Sequence, residues 1–306
     1  MRIVIVGAGA MGSLFGAFLS QAAEVCLIDP YADHVRTIAE KGLTVEGLDG
    51  EARTYRLPAV TDPGLVKPGV DLAIIFTKSH LTESAAGIAA PLLGRKGYGL
   101  TLQNGAGNRE TIARVLGEDR AMAGVTSQGG TLLGPGRIRH GGEGPTHIGG
   151  SGKHIEAIVN VFRAAGIETH LSEDVDSLIW GKLIINVGIN ALAAVLRVPN
   201  GVLGTSPECE PMMAGAVDEA MKVAEASGIR LSYDNPLAHV KTVCEKTAAN
   251  RASMLQDILR GARTEVDVIN GAVVRKGRAV GVPTPVNLFL WETIKALEAT
   301  FSHRCN

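Results

Sequence analysis

The hydrophobic pattern of this chain changes character near its middle. Up to about residue 170, short runs rich in β-branched residues alternate with stretches of helical period. The run from Arg2 to Val6 leads into helical SLFGAFLSQ, and Glu24-Val-Cys-Leu-Ile-Asp29 reads as a second strand. HVRTIAEKGL then reads as a helix closed by Gly42, Val70 to Thr77 as a buried strand, LTESAAGIAAPLL as a helix, and Gly97 to Gln103 as the next strand. Strands that are apolar throughout and separated by helices predict a parallel sheet covered on both faces. Beyond about residue 120 glycine recurs with no helix between, which predicts hairpin strands; HIEAIVNVFRAAG and Ile167 to Leu171 add a last helix and strand.

From Ser172 onward the strand signals stop. Ile179–Asn200, IWGKLIINVGINALAAVLRVPN, spans about five helical turns. Its apolar residues, Ile179, Leu183, Ile184, Ile185, Val187, Ile189, Leu192 and Val195, fall on all sides, the pattern of a helix buried inside a domain. Lys182, Asn186 and Asn190 interrupt it at a spacing of four, so an ammonium and two carboxamides share one slowly drifting stripe. Two readings of the stripe stand open from the helix alone. The lysine snorkels to water while the amides bond inside the core, or the stripe is a polar cleft wall whose lysine has a pKa lowered for proton transfer. Pro199-Asn200-Gly201 reads as the helix stop and sets Asn200 beside the same wall.

EPMMAGAVDEAMKVAEASG, NPLAHVKTVCEKTAAN, EVDVINGAVVRKGRAVG and PVNLFLWETIKALEATF read as further helices. Ser253-Met-Leu-Gln256 and Thr264-Glu-Val-Asp267 both fit capping boxes. Ser253 is accounted for as a helix cap and Glu265 as a dipole partner at a first turn, if nothing else engages them. The expected fold is therefore an α/β N-terminal domain, residues 1–170, joined to an all-α C-terminal domain, residues 171–306.

Chemistry enters with Gly7, Ala8, Gly9, Ala10, Met11 and Gly12, a GxGxxG directly after a strand and before a helix. Gly7 suits the tight turn, Gly9 lets a pyrophosphate approach the backbone, and Gly12 allows close packing of helix on strand. The pyrophosphate is expected on the helix N-terminus, where free N–H groups favour an anion. Asp29, about 20 residues on, occupies the position that reads the adenosine ribose. A carboxylate accepts from a 2′-hydroxyl and repels a 2′-phosphate, and Pro30, Tyr31, Ala32 and Asp33 bring no arginine, so NAD(H) is favoured. NADP(H) is not excluded, since His34 and Arg36 are near enough in sequence to reach the site. Lys78 and Asn104 follow the ends of strands, where open α/β sheets bind ligands; a solvated lysine and a turn Asn-Gly are the structural alternatives. Thr126 and Ser127, on the first glycine-rich strand, are candidates to face the cofactor.

The 306 residues suffice for two cored domains, and 45% hydrophobic with 20% charged residues describes a globular chain. A net charge of −1 without a basic run gives no footprint for nucleic acid or an anionic membrane. Cys26, Cys209, Cys244 and Cys305 are scattered and form no CxxC pair, which fits a reducing cytoplasm and no zinc site. The start lacks the pattern of a signal peptide, and no apolar run other than the long helix is clean enough to span a bilayer. A homodimer is compatible with the sequence.

Read together, GAGAMG, TKSH with Lys78, LQNG with Asn104, GKLIINVGINAL followed by PNG, and SMLQDILRGARTEVDVINGAVVRKGRAVGVPTP resemble the ketopantoate reductase (2-dehydropantoate 2-reductase) family over essentially the whole chain. The resemblance implies a Rossmann N-terminal domain and a nicotinamide-dependent reduction of a branched 2-oxo acid, 2-dehydropantoate to (R)-pantoate, in pantothenate and CoA biosynthesis. It implies Lys182 as general acid, Glu265 as its acidic partner, Asn186, Asn190, Asn200 and Ser253 on the substrate, and Lys78 and Asn104 at the cofactor, with Asn104 near the reacting carbonyl. The site is expected between the two halves. Members of this family that use NADPH commonly carry an arginine or another phosphate-tolerant residue near the end of the second strand, where this chain has Asp29. NAD-dependent D-2-hydroxyacid dehydrogenases share the scaffold and form the alternative reading. A dinucleotide-binding sensor without turnover is a remoter one, with little reason to hold Lys182, Ser253 and Glu265 together.

Overall fold

Ile3 and Ile5 of the first strand enter one apolar cluster while Val4 and Val6 enter another, and all four are buried. A strand with apolar residues on both faces has to lie inside a sheet that is covered on both sides. The structure, a computed structural model, describes residues 1–150, 154–231, 233 and 235–303. They form two units, Met1–Gln103 with Asn108–Val175, and Asp176 onward with Asn104–Gly107. Cys305 lies outside the described residues.

The strands of the first unit are β1 (Arg2–Val6), β2 (Glu24–Ile28), β3 (Leu43–Glu46), β4 (Ala52–Tyr55), β5 (Ala59–Val60), β6 (Val70–Ile75), β7 (Leu93–Thr101), β8 (Ala121–Thr126), β9 (Gly129–Gly134), β10 (Arg137–Gly142), β11 (Thr146–Gly149) and β12 (Thr169–Leu171). Eight of them form one sheet in the order β12-β11-β8-β7-β6-β1-β2-β5, parallel except where β11 runs against β8. Helices α1 (Ala10–Leu19), α2 (Ala32–Lys41), α3 (Thr82–Ala89), α4 (Asn108–Leu116) and α5 (Ile155–Ala164) connect the strands. The order reverses at β1, which has β2 on one side and β6 on the other, and the glycine-rich turn leaves β1 at that switch point.

A second sheet, β4-β3-β10-β9, is absent from the sequence reading. The predicted hairpin is present as β9–β10, but it leaves the main sheet to pair with β3 in parallel, so β8 and β9 belong to different sheets. Thr126 correspondingly turns its hydroxyl to Thr146, 2.9 Å away, within the sheet; it does not stand free as a cofactor contact.

The second unit is helical throughout its described residues: α6 (Val175–Leu196), α7 (Asn200–Thr205), α8 (Glu210–Ala226), α9 (Pro236–Lys246), α10 (Ser253–Leu259), α11 (Asn270–Val280) and α12 (Pro285–Ala299). The central helix α6 begins four residues earlier than its apolar run and ends at Leu196, where Arg197 takes a left-handed φ of 56°. Pro199-Asn200-Gly201 is thus not only a stop, because Asn200 opens α7. By length and composition α6 is apolar enough to cross a membrane, yet Leu183, Ile184, Val187, Leu192 and their neighbours are buried within the helical core. Gly188 lets α8 and α9 approach: a Cβ there would lie 3.0 Å from Val217 and 2.9 Å from Val240.

Neither capping box forms. Ala252 occupies the N-cap of α10 and Ser253 is its first residue, with no side-chain cap. Residues 265–281 are not one helix: a single 3-10 turn, Val266–Val268, precedes α11, and the backbone breaks at Ile269. The Thr264 hydroxyl accepts from Val266 N and donates to Glu298, and the Asp267 carboxylate faces Trp291, so the reciprocal pair of the box is not made.

The glycines of the first turn differ in what they tolerate. A Cβ on Gly12 would sit 1.9 Å from the Gly7 carbonyl oxygen, whereas one on Gly9 meets nothing within 4 Å. Gly12→Ala is expected to destabilise the chain by about 1–3 kcal/mol or more through overpacking against backbone, while Gly9→Ala changes stability by no more than about 1 kcal/mol. Thermal or urea denaturation of the two variants checks the contrast.

Candidate active site

The loop between β1 and α1 has the shape a dinucleotide needs. Gly7 adopts φ +98° and packs so closely on the end of β6 that a Cβ would lie 2.6 Å from the Thr77 nitrogen. Gly9 is the N-cap of α1 with open space above it, and the first turn of α1 holds no acidic side chain to compete with a phosphate. The Asp29 carboxylate, just past the end of β2, accepts from Ala8 N at 2.7 Å and Tyr31 N at 2.8 Å, so it is fixed beside the loop. Pyrophosphate at the helix N-terminus and a ribose diol at Asp29 both fit this arrangement.

His34 does not reach outward. It is 1% exposed, its Nδ1 accepts from Gly136 N at 2.9 Å, and its Nε2 meets the Ser13 hydroxyl at 3.1 Å. An accepting Nδ1 fixes the neutral tautomer, and burial lowers the pKa further against the opposing pull of Asp29. Arg36 is paired with Asp33 at 2.7 Å. The second strand end thus carries the Asp29 carboxylate, while the neutral His34 imidazole is taken up inside the unit.

The end of β6 adds a residue the sequence reading missed. The Thr77 hydroxyl is buried and without a hydrogen-bond partner, next to Lys78 and against the Gly7 turn. Gln103 holds this corner by donating to the Thr77 carbonyl at 2.6 Å and to Thr82 at 3.0 Å, and by accepting from Thr101 at 2.8 Å. A polar β-branched residue directly before a strand-end lysine is the signal that was available.

In the second unit, α6 carries Lys182, Asn186 and Asn190, all at least partly buried. Burial lowers the Lys182 pKa from its ordinary 10.5 to about 8, and the Glu265 carboxylate, itself only 9% exposed, pulls it back upward. Among the described residues, four buried side-chain atoms lack a partner: Thr77 Oγ1, Asn186 Nδ2, Asn200 Oδ1 and Asn270 Oδ1. Two of them belong to the amides singled out from sequence. Asn200 is buried at the start of α7, where its Nδ2 donates to Thr247 Oγ1 at 2.9 Å and its Oδ1 is left over. Unmatched buried polar atoms are costly unless something completes them, and here one is a donor and the other an acceptor. Ser253 is exposed at the start of α10, its hydroxyl uncommitted to capping.

Asn104 joins this group through the backbone. Asn104–Gly107 belong to the second unit although the residues on either side belong to the first. Ala106 N donates to Val268 O at 2.9 Å, and Gly105, at φ +87°, lies so near that a Cβ would be 2.4 Å from the same oxygen. The turn after Glu265 therefore holds the loop of Asn104. The structure brings Lys182 and Glu265 into electrostatic reach of each other and ties the Asn104 loop to the Glu265 segment. Gly7 to Gly12, Asp29 and Lys78 form a separate group in the first unit.

Two family profiles match the chain, "Ketopantoate reductase PanE/ApbA" over residues 3–152 and its C-terminal counterpart over residues 174–298. A 2-dehydropantoate 2-reductase of Pyrococcus abyssi is 39% identical over 98% of both chains.

The chain belongs to the ketopantoate reductase family.

Among solved structures, a PanE/ApbA family ketopantoate reductase from Ralstonia eutropha superposes with a TM-score of 0.92 at 34% identity, covering 99% of this chain and 100% of that one. A D-mandelate dehydrogenase in ternary complex with NADH and anilino(oxo)acetate superposes with a TM-score of 0.91 at 32% identity, with the same coverage. The N-terminal α/β architecture and the helical C-terminal half are those of the family, and the chain is a nicotinamide-dependent oxidoreductase.

A lysine that must be protonated to act as an acid gives a rate that falls as pH rises through its pKa. In the reductive direction the basic limb of kcat is expected near pH 8. Glu265 raises the Lys182 pKa, so Glu265→Gln is expected to move that limb to lower pH. A pH profile of nicotinamide oxidation under saturating substrate checks both.

Proposed function

We propose that the protein reduces 2-dehydropantoate to (R)-pantoate and prefers NADH. The observation that carries the reading is the combination on α6 and α7: a lysine tuned to about pH 8 together with one unmatched buried amide donor, Asn186 Nδ2, and one unmatched buried amide acceptor, Asn200 Oδ1. A 2-oxo acid bearing a hydroxyl offers the complementary set, with carboxylate and carbonyl oxygens to accept and a hydroxyl to donate.

Bound nicotinamide supplies the hydride that reduces C2 of the oxo acid. Lys182, as ammonium, polarises the C2 carbonyl and gives its proton to the oxygen as negative charge develops there. The product hydroxyl thus carries the proton of Lys182, and the amine is reprotonated from water. Glu265 keeps the ammonium populated at neutral pH against the cost of burial. Asn186, Asn190 and Asn200 orient the substrate without competing for the proton, and Ser253 donates to its carboxylate. Asn104 binds near the reacting carbonyl, on the loop held by Val268.

In the first unit Gly7, Ala8, Gly9, Ala10, Met11 and Gly12 would hold the pyrophosphate, with Lys78 and the Thr77 hydroxyl beside it and Asp29 on the adenosine ribose. Asp29 and a neutral, buried His34 support NADH over NADPH. A second reading is favoured by one observation: the D-mandelate dehydrogenase that superposes so closely is described with NADH. On that reading the same lysine serves another 2-oxo acid.

The deciding assay follows oxidation of NADH and of NADPH with 2-dehydropantoate, 2-oxoisovalerate and phenylglyoxylate. The proposal expects 2-dehydropantoate to give the highest kcat/KM and NADH to be preferred; turnover of only the other acids would assign the second reading. Asp29→Ser is expected to raise the KM for NADH about tenfold, the worth of one charge-assisted hydrogen bond, and to narrow the preference over NADPH.

A further inference from the structure

Glu265 does not sit on a regular element. It is the N-cap of a three-residue 3-10 turn, its carbonyl accepting from Val268 N at 3.1 Å. What fixes the segment is a set of side chains from α12 and α11. The Glu298 carboxylate, 11% exposed, accepts at Oε1 from both the backbone N–H and the hydroxyl of Thr264, each at 2.7 Å, and Thr264 is 1% exposed. The same Thr264 hydroxyl accepts from Val266 N at 3.2 Å. One carboxylate on α12 and one buried hydroxyl thereby bracket Glu265 on both sides.

The other end of the turn is held as firmly. Asp267 accepts from the Trp291 indole at 2.8 Å and from Arg263 at 3.1 Å, and pairs with Lys295 at 3.3 Å. Burial would raise its pKa, but the Trp291, Arg263 and Lys295 donors outweigh it and hold the carboxyl below its ordinary value. Arg275 donates to the Asp267 carbonyl at 2.6 Å and lies over the Trp291 ring. Lys295 also reaches Glu298 at 3.1 Å.

We propose that Glu298 is a positioning residue for the reduction: its paired hydrogen bonds to Thr264 fix the Glu265 carboxylate in the place from which it acts on Lys182. This rests on the reading of Lys182 and Glu265 given above. Glu298 belongs to α12 and acts through Thr264, the chain neighbour of Glu265. The charged groups that face it are Lys295 on its own helix and, through Lys295, Asp267. Its role is geometric, so an amide oxygen at the same place serves nearly as well, since one oxygen accepts both Thr264 donors.

The test compares Glu298→Ala, Glu298→Gln, Thr264→Val and Glu265→Gln in the folded full-length enzyme, reading kcat, KM, the pH profile of kcat and the melting temperature. Glu298→Ala is expected to lower kcat about tenfold or more, as a misplaced catalytic group does, with little change in the KM for either substrate. Its basic limb should shift to lower pH, as in Glu265→Gln. Glu298→Gln should restore most of kcat and the position of the limb. Thr264→Val, which keeps the backbone donor but loses the hydroxyl, should fall between, and it carries the test if Glu298→Ala does not fold. Equal loss in Glu298→Ala and Glu298→Gln would overturn the proposal in favour of a through-space charge effect. An unaltered kcat and pH profile in Glu298→Ala, with Glu265→Gln impaired, would overturn it alone. Full activity in Glu265→Gln would overturn the site reading, and this inference with it.

Discussion

An ammonium group on a long, apolar, largely buried helix is held against its own hydration. Removing Lys182 from water costs free energy that grows with the charge it keeps, and the chain meets that cost in two ways. The lysine gives up part of its basicity, and Glu265 restores some of it from the start of a 3-10 turn. Much of the helical unit serves this pair. The helix α6 is packed on α8 and α9 closely enough that Gly188 has no room for a side chain, which sets the register of the polar stripe. The turn after Glu265 is fastened to α12 and α11, and it in turn fastens the loop that bears Asn104.

The first unit solves a different problem with the same economy of means. Its switch-point loop has to leave backbone donors open, so glycine occupies the positions where a side chain would meet the end of β6 or the loop's own carbonyl. Asp29 is held by two backbone N–H groups, which keep its carboxylate in place beside the loop. His34 serves structure, linking α1 through Ser13 to the turn at Gly136. The result is a strand end where a carboxylate is fixed beside the glycine loop.

Much of this was legible in the sequence, and the reasons differ by element. The stripe of Lys182, Asn186 and Asn190 was readable because three polar residues at a spacing of four stand out against an apolar helix, and the glycine loop because its spacing has a mechanical meaning. The second sheet was not readable. Its strands β3 and β4 are four residues each, β4 is mostly exposed, and β3 finds its parallel partner β10 far along the chain. Thr264 and Asp267 looked like a capping box because the local pattern is one; the bonds that decide otherwise run to Glu298 and Trp291, 34 and 24 residues away. Likewise no local signal assigns Asn104 to the helical unit, since its anchor is the carbonyl of Val268. Local periodicity reports the faces of elements, whereas these features depend on pairings between distant residues.

The central claim is that the proton added in the reduction comes from Lys182. Its most direct test is the single-turnover rate of NADH oxidation by Lys182→Ala with 2-dehydropantoate, with and without added methylammonium, alongside the affinity of the variant for NADH. The account predicts a rate lower by about 10²–10⁴-fold, the span of general acid catalysis, with NADH affinity unchanged and partial recovery as methylammonium fills the space of the missing side chain. A Lys182→Ala rate equal to that of the wild type would contradict it.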